Sequence, residues 1–325
     1  MTEHLSRLQI IELLSDGQFH SGQKIGDSLG ISRAAVNKHI QVLKEWGIDI
    51  FRIQGKGYQL AIPFELLDRA RLQQDVGEAQ FELIPVIDST NQYLLDKGAS
   101  LQSGHCCVAE LQTAGRGRRG RAWYSPFGSN IYLSMYWRLD AGMAAAMGLS
   151  LVVGVIAAET LREVTGADVK VKWPNDLYVD DKKLAGILVE LTGQAGDAAH
   201  VVMGMGINFS MENETSVIDQ PWTSLVQACQ HMPSRNTLVA TLINRLRTGL
   251  AEYELQGLNA FLSRWNTLDN YLGRAVKIIM GERVVEGVAR GITPQGGLML
   301  EMPNGEQQTF VGGEVSLRGN DAITD

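Results

Sequence analysis

The chain has 325 residues, 45% hydrophobic and 20% charged, with a formal net charge of −7. That length predicts two or three domains of roughly 100–200 residues, and the composition excludes global disorder. The acidic total excludes a protein coated in positive charge, but it averages over segments and can hide a local basic face.

Cys106 and Cys107 are adjacent and Cys229 stands alone. No pair has metal or redox spacing, which points to a reducing compartment. The six histidines are scattered, so no permanent metal site is expected. The start, Met1 to Leu5, lacks a secretion signal. The apolar run Met147–Ala158 falls short of the about 20 residues a bilayer span needs. A cytoplasmic protein with no membrane partner is the expectation.

The chain divides into three textures: residues 1–63, ending at Pro63; residues 64–270; and residues 271–325. In the first, Leu5, Leu8 and Ile10–Leu14 predict a helix stopped near Gly17. Ser21 caps a second helix ended by Gly30, and Ser32 caps a third running to about Trp46. At about 100° per residue the third helix separates by face. Ala35, Val36, His39, Ile40, Val42, Leu43 and Trp46 share one arc; Arg33, Asn37, Lys38, Gln41 and Lys44 share the other. Asp49–Leu60 reads as a hairpin turning at Gly55-Lys56-Gly57. Helix-turn-helix plus hairpin is a winged helix, in which Ser32, Arg33, Ala34, Asn37 and Lys38 approach a major groove while Arg52 and Lys56 meet phosphates. A small helical domain for protein contacts is the alternative, since residues 1–62 hold seven Lys/Arg against six Asp/Glu. So balanced a charge implies weak binding by a monomer and a dimer on a two-part site.

In the second texture, an apolar strand Phe81–Ile87 runs into Asp88-Ser89-Thr90-Asn91. These groups either cap a helix Gln92–Lys97 or bind a small polar ligand, and capping is the plainer reading. Gly115-Arg116-Gly117-Arg118-Arg119-Gly120-Arg121 packs four arginines and three glycines into seven residues, flanked by Trp123, Tyr124 and Phe127. Glycines allow close backbone approach and guanidinium forks match phosphate oxygens, so this loop reads as an anion site, with a purely solvated basic loop as the alternative. The strand Lys170-Val-Lys172 enters a rigid Trp173-Pro174-Asn175-Asp176 turn, followed by Lys182 and Lys183 at the mouth of a strand Leu184–Leu191. The lysines are either a solvated hairpin tip or cations for a carboxylate or phosphoryl group. The apolar strand Val201–Phe209 contains Gly204-Met-Gly206 and Asn208, a sign of close backbone approach. A buried helix Met143–Val164 and a one-striped helix with Leu238, Leu242, Leu246, Leu250 and Tyr253 back these strands. No Ser-His-Asp or nucleophilic Cys arrangement stands out.

In the third texture, Ala275–Met280, Val284–Gly291, Leu298–Glu301, Gln307–Val311 and Val315–Leu317 read as strands. Turns fall at Gly281-Glu282, Pro294–Gly297, Pro303–Gly305 and Gly312-Gly313. A small β-barrel is expected.

In this order the winged helix, Asp-Ser-Thr-Asn, the arginine loop, Lys-Trp-Pro-Asn-Asp, Lys-Leu-Ala-Gly-Ile-Leu-Val-Glu and Gly-x-Gly-Ile-Asn closely resemble the bacterial bifunctional biotin–protein ligases that also repress the biotin operon. The resemblance covers essentially the whole chain. It implies an α+β multidomain protein: an N-terminal winged helix-turn-helix, a central mixed α/β domain of the biotin/lipoate ligase type, and a C-terminal SH3-like barrel.

It further implies that biotin and ATP with Mg2+ form biotinyl-5′-AMP, and that a lysine of the biotin carboxyl carrier subunit of acetyl-CoA carboxylase then takes the biotinyl group. The adenylate is also implied as the corepressor, promoting a homodimer on operator DNA. By the family pattern Ser89, Thr90, Asn91, Gln112, Gly115, Arg116, Lys183, Gly186, Gly204 and Gly206 bind biotin. Arg118, Arg121, Trp123, Asn175, Asn208, Met211 and Trp222 serve the nucleotide. Lys183, Arg118 and Arg116 serve catalysis, with Asp176 orienting the acceptor amine. The implied dimer pairs an edge at Leu188–Gly193 beside the Asp140–Ala146 loop. One departure is Pro221 before Trp222, where the family commonly has glycine. Proline fixes φ and removes a donor. Competing readings are a lipoate ligase, whose arginine-glycine motif differs, a ligand-sensing repressor without catalysis, and a ligase whose winged helix no longer binds DNA.

Overall fold

The computed structural model describes residues 2–62, 64–193, 197–211, 218–229, 231–280, 283–311 and 316–319. The expected boundary at Pro63, the turns at Gly281-Glu282 and Gly312-Gly313, and Val315 lie outside the described residues.

The N-terminal helices are α1 (Thr2–Leu14), α2 (Gly22–Leu29) and α3 (Arg33–Glu45). Ser21 Oγ accepts from Lys24 N and Ser32 Oγ from Ala35 N, so both predicted caps form. Gly30 ends α2 at φ +67°, a left-handed conformation that costs glycine least. On α3 Val36, Ile40 and Leu43 are buried, and Arg33, Asn37, Lys38, Gln41 and Lys44 are exposed. Strands β1 (Ile50–Ile53) and β2 (Gly57–Leu60) pair antiparallel as the wing.

The linker into the central part is tied by charge. Glu65 accepts from Ser234 Oγ, Arg235 N and Asn236 Nδ2, at 2.9, 2.7 and 3.0 Å. Next come α4 (Arg69–Val76), which the sequence reading missed, β3 (Phe81–Leu83) and β4 (Val86–Ile87). The single strand expected over 81–87 is thus broken at Pro85, which has no N–H for a ladder; its carbonyl instead accepts from Glu110 N and Leu111 N. Then follow α5 (Thr90–Lys97), β5 (Cys106–Ala109), β6 (Leu111–Gln112) and β7 (Asn130–Leu139).

The apolar segment beyond β7 is a 3-10 turn at Met143–Ala146 followed by α6 (Leu149–Thr165). The continuous helix expected over 143–164 is interrupted because Gly148 sits at φ +83°. Length and apolarity make 143–165 resemble a membrane span, but α6 is the core helix, with Leu149, Val152, Val155 and Leu161 fully buried. After it come β8 (Lys170–Lys172), β9 (Asp176–Val179), β10 (Lys182–Thr192), β11 (Ala199–Asn208), α7 (Leu225–Ala228), α8 (Arg235–Gln256) and α9 (Leu262–Leu268). The Leu238–Tyr253 stripe of α8 is buried. Gly249 lets α8 close on α6: an added Cβ would meet Ile156 Cδ1 at 2.4 Å.

The central sheet has the order β3-β5-β7-β11-β10-β9-β8, antiparallel except at β3–β5. Helices α6 and α8 pack against one face, with Ile187 and Trp265 beside Gly154 of α6. Helix α5 covers part of the other face, next to β5, β7 and β11. The rest of that face is open.

The last strands, β12 (Ala275–Met280), β13 (Arg283–Ile292), β14 (Leu298–Glu301), β15 (Gln307–Phe310) and β16 (Ser316–Gly319), form an antiparallel sheet in the order β15-β14-β13-β12-β16. It is the small antiparallel β unit expected at this end of the chain. It abuts the central sheet, since Trp173 Nε1 donates to Gly296 O at 3.0 Å.

Candidate active site

A cavity of about 1210 Å3 lies on the open face of the central sheet. Its floor is set by register. Ser134 pairs with Gly204, Gly206 with Gly186, Gly186 with Asp176, and Asp176 with Lys172. These even-numbered residues share one face, because side chains alternate along a strand. Lys183 is odd-numbered and would point away. A β-bulge between Lys183 and Ala185 shifts the register, so Lys183 pairs with Tyr178 on the cavity side. Bulges re-aim single side chains in this way beside functional sites.

At one end Ser89 caps α5, accepting from Gln92 N at 3.4 Å. Capping does not use up this string. Thr90 donates to Gln112 Oε1 through both N and Oγ1, at 2.9 and 3.0 Å. Ser134 Oγ lies 2.7 Å from Thr90 Oγ1 and 2.6 Å from Asn91 Oδ1. Asn91 Nδ2 donates to Glu190 Oε2 at 2.8 Å. Gly204 leaves room for this amide: a Cβ there would lie 2.1 Å from Asn91 Oδ1. Buried polar groups paired this fully form a rigid recognition surface.

The arginine loop folds back over the floor. Gly115 is buried and Trp123 N donates to its carbonyl at 2.9 Å. The Trp123 ring rests on Gly206, where a Cβ would come within 2.4 Å of it, and reaches Gly186. Arg116 Nη2 pairs with Glu190 Oε2 at 2.9 Å. Arg118 Nη1 donates to Asn175 Oδ1 at 2.9 Å, and burial pulls its pKa below the ordinary arginine value. Arg121 lines the cavity and is exposed.

Lys183 Nζ lies 3.0 Å from Asp176 Oδ1, an ion pair without an aligned hydrogen bond, and 5.5 Å from the Trp123 ring centroid. Both side chains of the pair are mostly buried, at 15% and 16% exposure, which excludes the solvated hairpin tip for Lys183. Lys182 is exposed. Asn175 Nδ2 donates to Ile187 O at 2.9 Å.

The segment with Trp222 joins the start of β10: Lys183 N donates to Pro221 O at 3.0 Å and Thr223 N to Lys183 O at 2.9 Å. Pro221 needs only its carbonyl here. Trp222 lines the cavity. Asn208 lines it too, but its amide donates inward to Thr223 O at 3.0 Å. Met211 turns into the core, its sulfur accepting from Asn130 Nδ2 at 3.3 Å. Residues 212–217, in the Met211–Trp222 stretch that resembles the family's adenine-covering loop, lie outside the described residues.

Several lining residues escaped the sequence reading: Ser125, Tyr178, Asp181, Tyr271 and Arg274, with Lys172 noted only as part of a strand. Arg274 forks onto Asp181, Nη1 to Oδ1 at 2.7 Å and Nη2 to Oδ2 at 3.1 Å. These hydrogen bonds hold the Asp181 carboxyl below its usual pKa. Lys170 and Lys172 alternating on a strand, and Asp180-Asp181 just before Lys182, are the signal the sequence carries; the partner 93 residues away leaves none. Among the described residues, no group of three or more His, Cys, Asp and Glu side chains is placed to hold a metal ion.

The expected DNA-facing residues lie on a separate surface. Ser32, Arg33, Ala34, Asn37, Lys38, Arg52 and Lys56 are all exposed, with Ser32 engaged as a cap and Asn37 Oδ1 accepting from Tyr58 Oη at 3.2 Å. The two regions meet behind α3, where Trp46 stacks on Phe127 at 5.6 Å and Phe127 N donates to Trp46 O.

Comparison with known proteins agrees with this division. The family profiles "HTH domain", "Biotin/lipoate A/B protein ligase family" and "Biotin protein ligase C terminal domain" match residues 6–59, 83–208 and 271–318. "Bifunctional ligase/repressor BirA" of Salmonella typhimurium is 55% identical, over 96% of this chain and 97% of its own length. Its Escherichia coli K12 namesake is 53% identical over 98% and 99%. The solved "Biotin protein ligase from Aquifex aeolicus in complex with biotin and ATP" superposes with a TM-score of 0.65 at 28% identity, covering 74% of this chain and 99% of that one. The chain belongs to the bifunctional biotin–protein ligase/repressor family, in which one polypeptide is both an enzyme that joins biotin to protein and a DNA-binding repressor.

Proposed function

We propose that the cleft activates biotin with Mg-ATP and passes the biotinyl group to a lysine of the biotin carboxyl carrier subunit of acetyl-CoA carboxylase. A carboxylate is a poor electrophile. One of its oxygens attacks the α-phosphorus of ATP, the bond to the β-phosphoryl oxygen breaks, and pyrophosphate leaves with the electron pair. The acceptor amine then attacks the acyl carbon of biotinyl-5′-AMP; AMP leaves and the amine loses a proton. Two anions must meet in the first step, so cations in a water-poor site must offset their repulsion. The magnesium travels with the nucleotide as part of that substrate.

The observation that carries this reading is Lys183, turned by a bulge onto the cavity side, paired with Asp176 and seated above Trp123. Lys183 meets the biotin carboxylate and then the phosphate. Ser89, Thr90, Asn91 and Gln112 receive the biotin ring among Gly115, Arg116, Gly186, Gly204 and Gly206. Arg118, Arg121, Trp123, Asn175 and Trp222 face the nucleotide, with Asn208 and Met211 supporting that wall from beneath. Asp176 orients the acceptor amine, as a carboxylate released from Lys183 can accept its proton.

The adenylate-loaded protein pairs as a homodimer along Leu188–Gly193, a stretch of β10 beyond the reach of β9, whose pairing stops at Gly186. The dimer binds a two-part operator of the biotin operon, with α3 in the major groove and the wing on the phosphates. Residues 1–63, 64–270 and 271–325 are the DNA-binding, catalytic and C-terminal units, working in the reducing cytoplasm. Biotin-dependent exchange between pyrophosphate and ATP by the purified protein with Mg2+ tests the enzyme; no exchange rejects it. Adenylate should tighten operator binding at least tenfold, and equal affinity with and without it rejects the corepressor role.

A further inference from the structure

We infer that Tyr58 of the wing sets what α3 reads: it holds the Asn37 amide with its oxygen turned toward the wing, so that Asn37 presents N–H donors to the major groove and selects guanine over adenine. The inference rests on the placement of α3 in the groove proposed above and deepens it by naming the base.

The wing fixes the phenol first. Tyr58 is 6% exposed on β2, and its backbone pairs twice with His20: Tyr58 N donates to His20 O at 2.8 Å, and His20 N to Tyr58 O at 2.9 Å. Gly57 permits this approach, since a Cβ there would lie 2.0 Å from His20 O. The ring packs beside the start of α2, where a Cβ on Gly22 would meet Tyr58 Cε2 and Arg33 Cγ, both at 3.4 Å. Arg52 stands across the hairpin from Tyr58, 6.0 Å from the ring centroid. Backbone and ring are thus held where α2, α3 and the wing join.

From that junction Tyr58 Oη donates to Asn37 Oδ1 at 3.2 Å. Amide oxygen and nitrogen sit on opposite corners of one planar group, so this bond turns Nδ2 away from the wing. Asn37 is exposed, and its Nδ2 has no protein partner among the described residues. The neighbouring groups on α3 are of the same kind. Ser32 Oγ already accepts from Ala35 N, which leaves its O–H to donate. Arg33 and Lys38 are exposed and carry only donors. Residues near the N-terminus of a recognition helix are the ones that reach base edges, and here they offer donors. Guanine shows two adjacent acceptors in the major groove, N7 and O6. Adenine sets an amino group beside N7, so its N6–H2 would face Nδ2–H2 of Asn37. The familiar Asn–adenine pair needs the amide oxygen for N6, and that is the atom Tyr58 holds.

Adenylate-loaded, full-length protein is used to select duplexes from a random-sequence library, with wild type, Asn37→Ala and Tyr58→Phe compared. The wild type should enrich guanine over adenine about tenfold or more at one position of each half-site. Asn37→Ala should flatten that position alone. Tyr58→Phe keeps the ring and its packing but frees the amide to turn, so adenine should be admitted there. The guanine-to-adenine ratio should fall about 5- to 10-fold, with affinity for the best site changed less than about threefold. A structural loss in the wing, or a lost phosphate contact at Arg52, would instead weaken all sequences alike and leave the ratio in place. Adenine at the position that Asn37→Ala flattens overturns the inference, as does a guanine preference untouched by Tyr58→Phe. A motif that Asn37→Ala leaves unchanged takes Asn37 away from the bases and overturns it as well. If the wild type enriches no sequence, the placement of α3 in the groove falls first and this inference with it.

Discussion

On α3 the cations Arg33 and Lys38 stand out from a helix whose opposite face buries Val36, Ile40 and Leu43, whereas in the cleft Arg116, Arg118 and Lys183 each touch a partner from a distant strand or loop. The first arrangement is an array of separate contacts. Each exposed charge is screened by salt and adds a similar increment against phosphates. The second is a linked network, in which Glu190 holds both Arg116 and Asn91, and Asn91 touches Ser134. A change at one point there is felt at several others. The two arrangements meet at the end of α3, where Trp46 stacks on Phe127 and Glu45, Trp46 and Gly47 reach the edge of the cavity.

The largest expected effect is at Lys183. Lys183→Ala should slow adenylate formation about 10²- to 10³-fold, the cost of deleting one pre-placed charge donor. Exchange kinetics measure it, with circular dichroism showing an intact fold; wild-type rates would detach Lys183 from the reaction. Next, Gly206→Ala puts a methyl where Trp123 rests. Overpacking costs about 1–3 kcal/mol. Because the network is linked, the KM for biotin should rise more than tenfold although no polar group is lost; an unchanged KM would show that Trp123 is not coupled to the floor.

Lys56→Ala on the wing should weaken operator binding several-fold and lower the salt slope of log affinity by about 1, the loss of one phosphate contact. Exchange should stay within twofold, and a larger fall would break the separation between the two surfaces. The smallest effect concerns Asp269, beside the cleft, whose Oδ1 accepts from Tyr271 N. Burial raises its pKa to about 6. Between the unfolded value of about 3.9 and 6, the folded chain keeps a proton that the unfolded chain releases. The contribution of Asp269 to stability should therefore fall by about 2 kcal/mol as pH rises through that window, then level off. Denaturant titrations of the wild type and Asp269→Asn at pH 4 and 7 check this: the difference between the two proteins should change by that amount between the two pH values, and a constant difference would reject it.

The winged helix was legible almost to the residue, because caps and a 3.6-residue period are local: Ser21, Gly30 and Ser32 sit where their chemistry predicts. The glycine strings were legible as places of close approach, though not what approaches: Asn91 at Gly204 and the Trp123 ring at Gly206. The 143–164 helix was read as continuous because apolar composition masked Gly148. The family pattern assigns Asn208 and Met211 to the nucleotide; in the structure the Asn208 amide donates to Thr223 O and the Met211 sulfur accepts from Asn130 Nδ2, contacts that no local pattern in the sequence reveals.

The amino-acid order alone thus determined the local elements, the basic face of α3 and the strings of the arginine loop and the Lys-Trp-Pro-Asn-Asp turn. Only the tertiary structure decided that a bulge turns Lys183 onto the cavity side, that Glu190 meets Arg116 across 74 residues, and that Arg274 reaches Asp181 across 93. Periodicity and capping act within a few residues, so they leave a trace in sequence. Contacts across long loops depend on register and on how layers pack, which no short window of residues encodes.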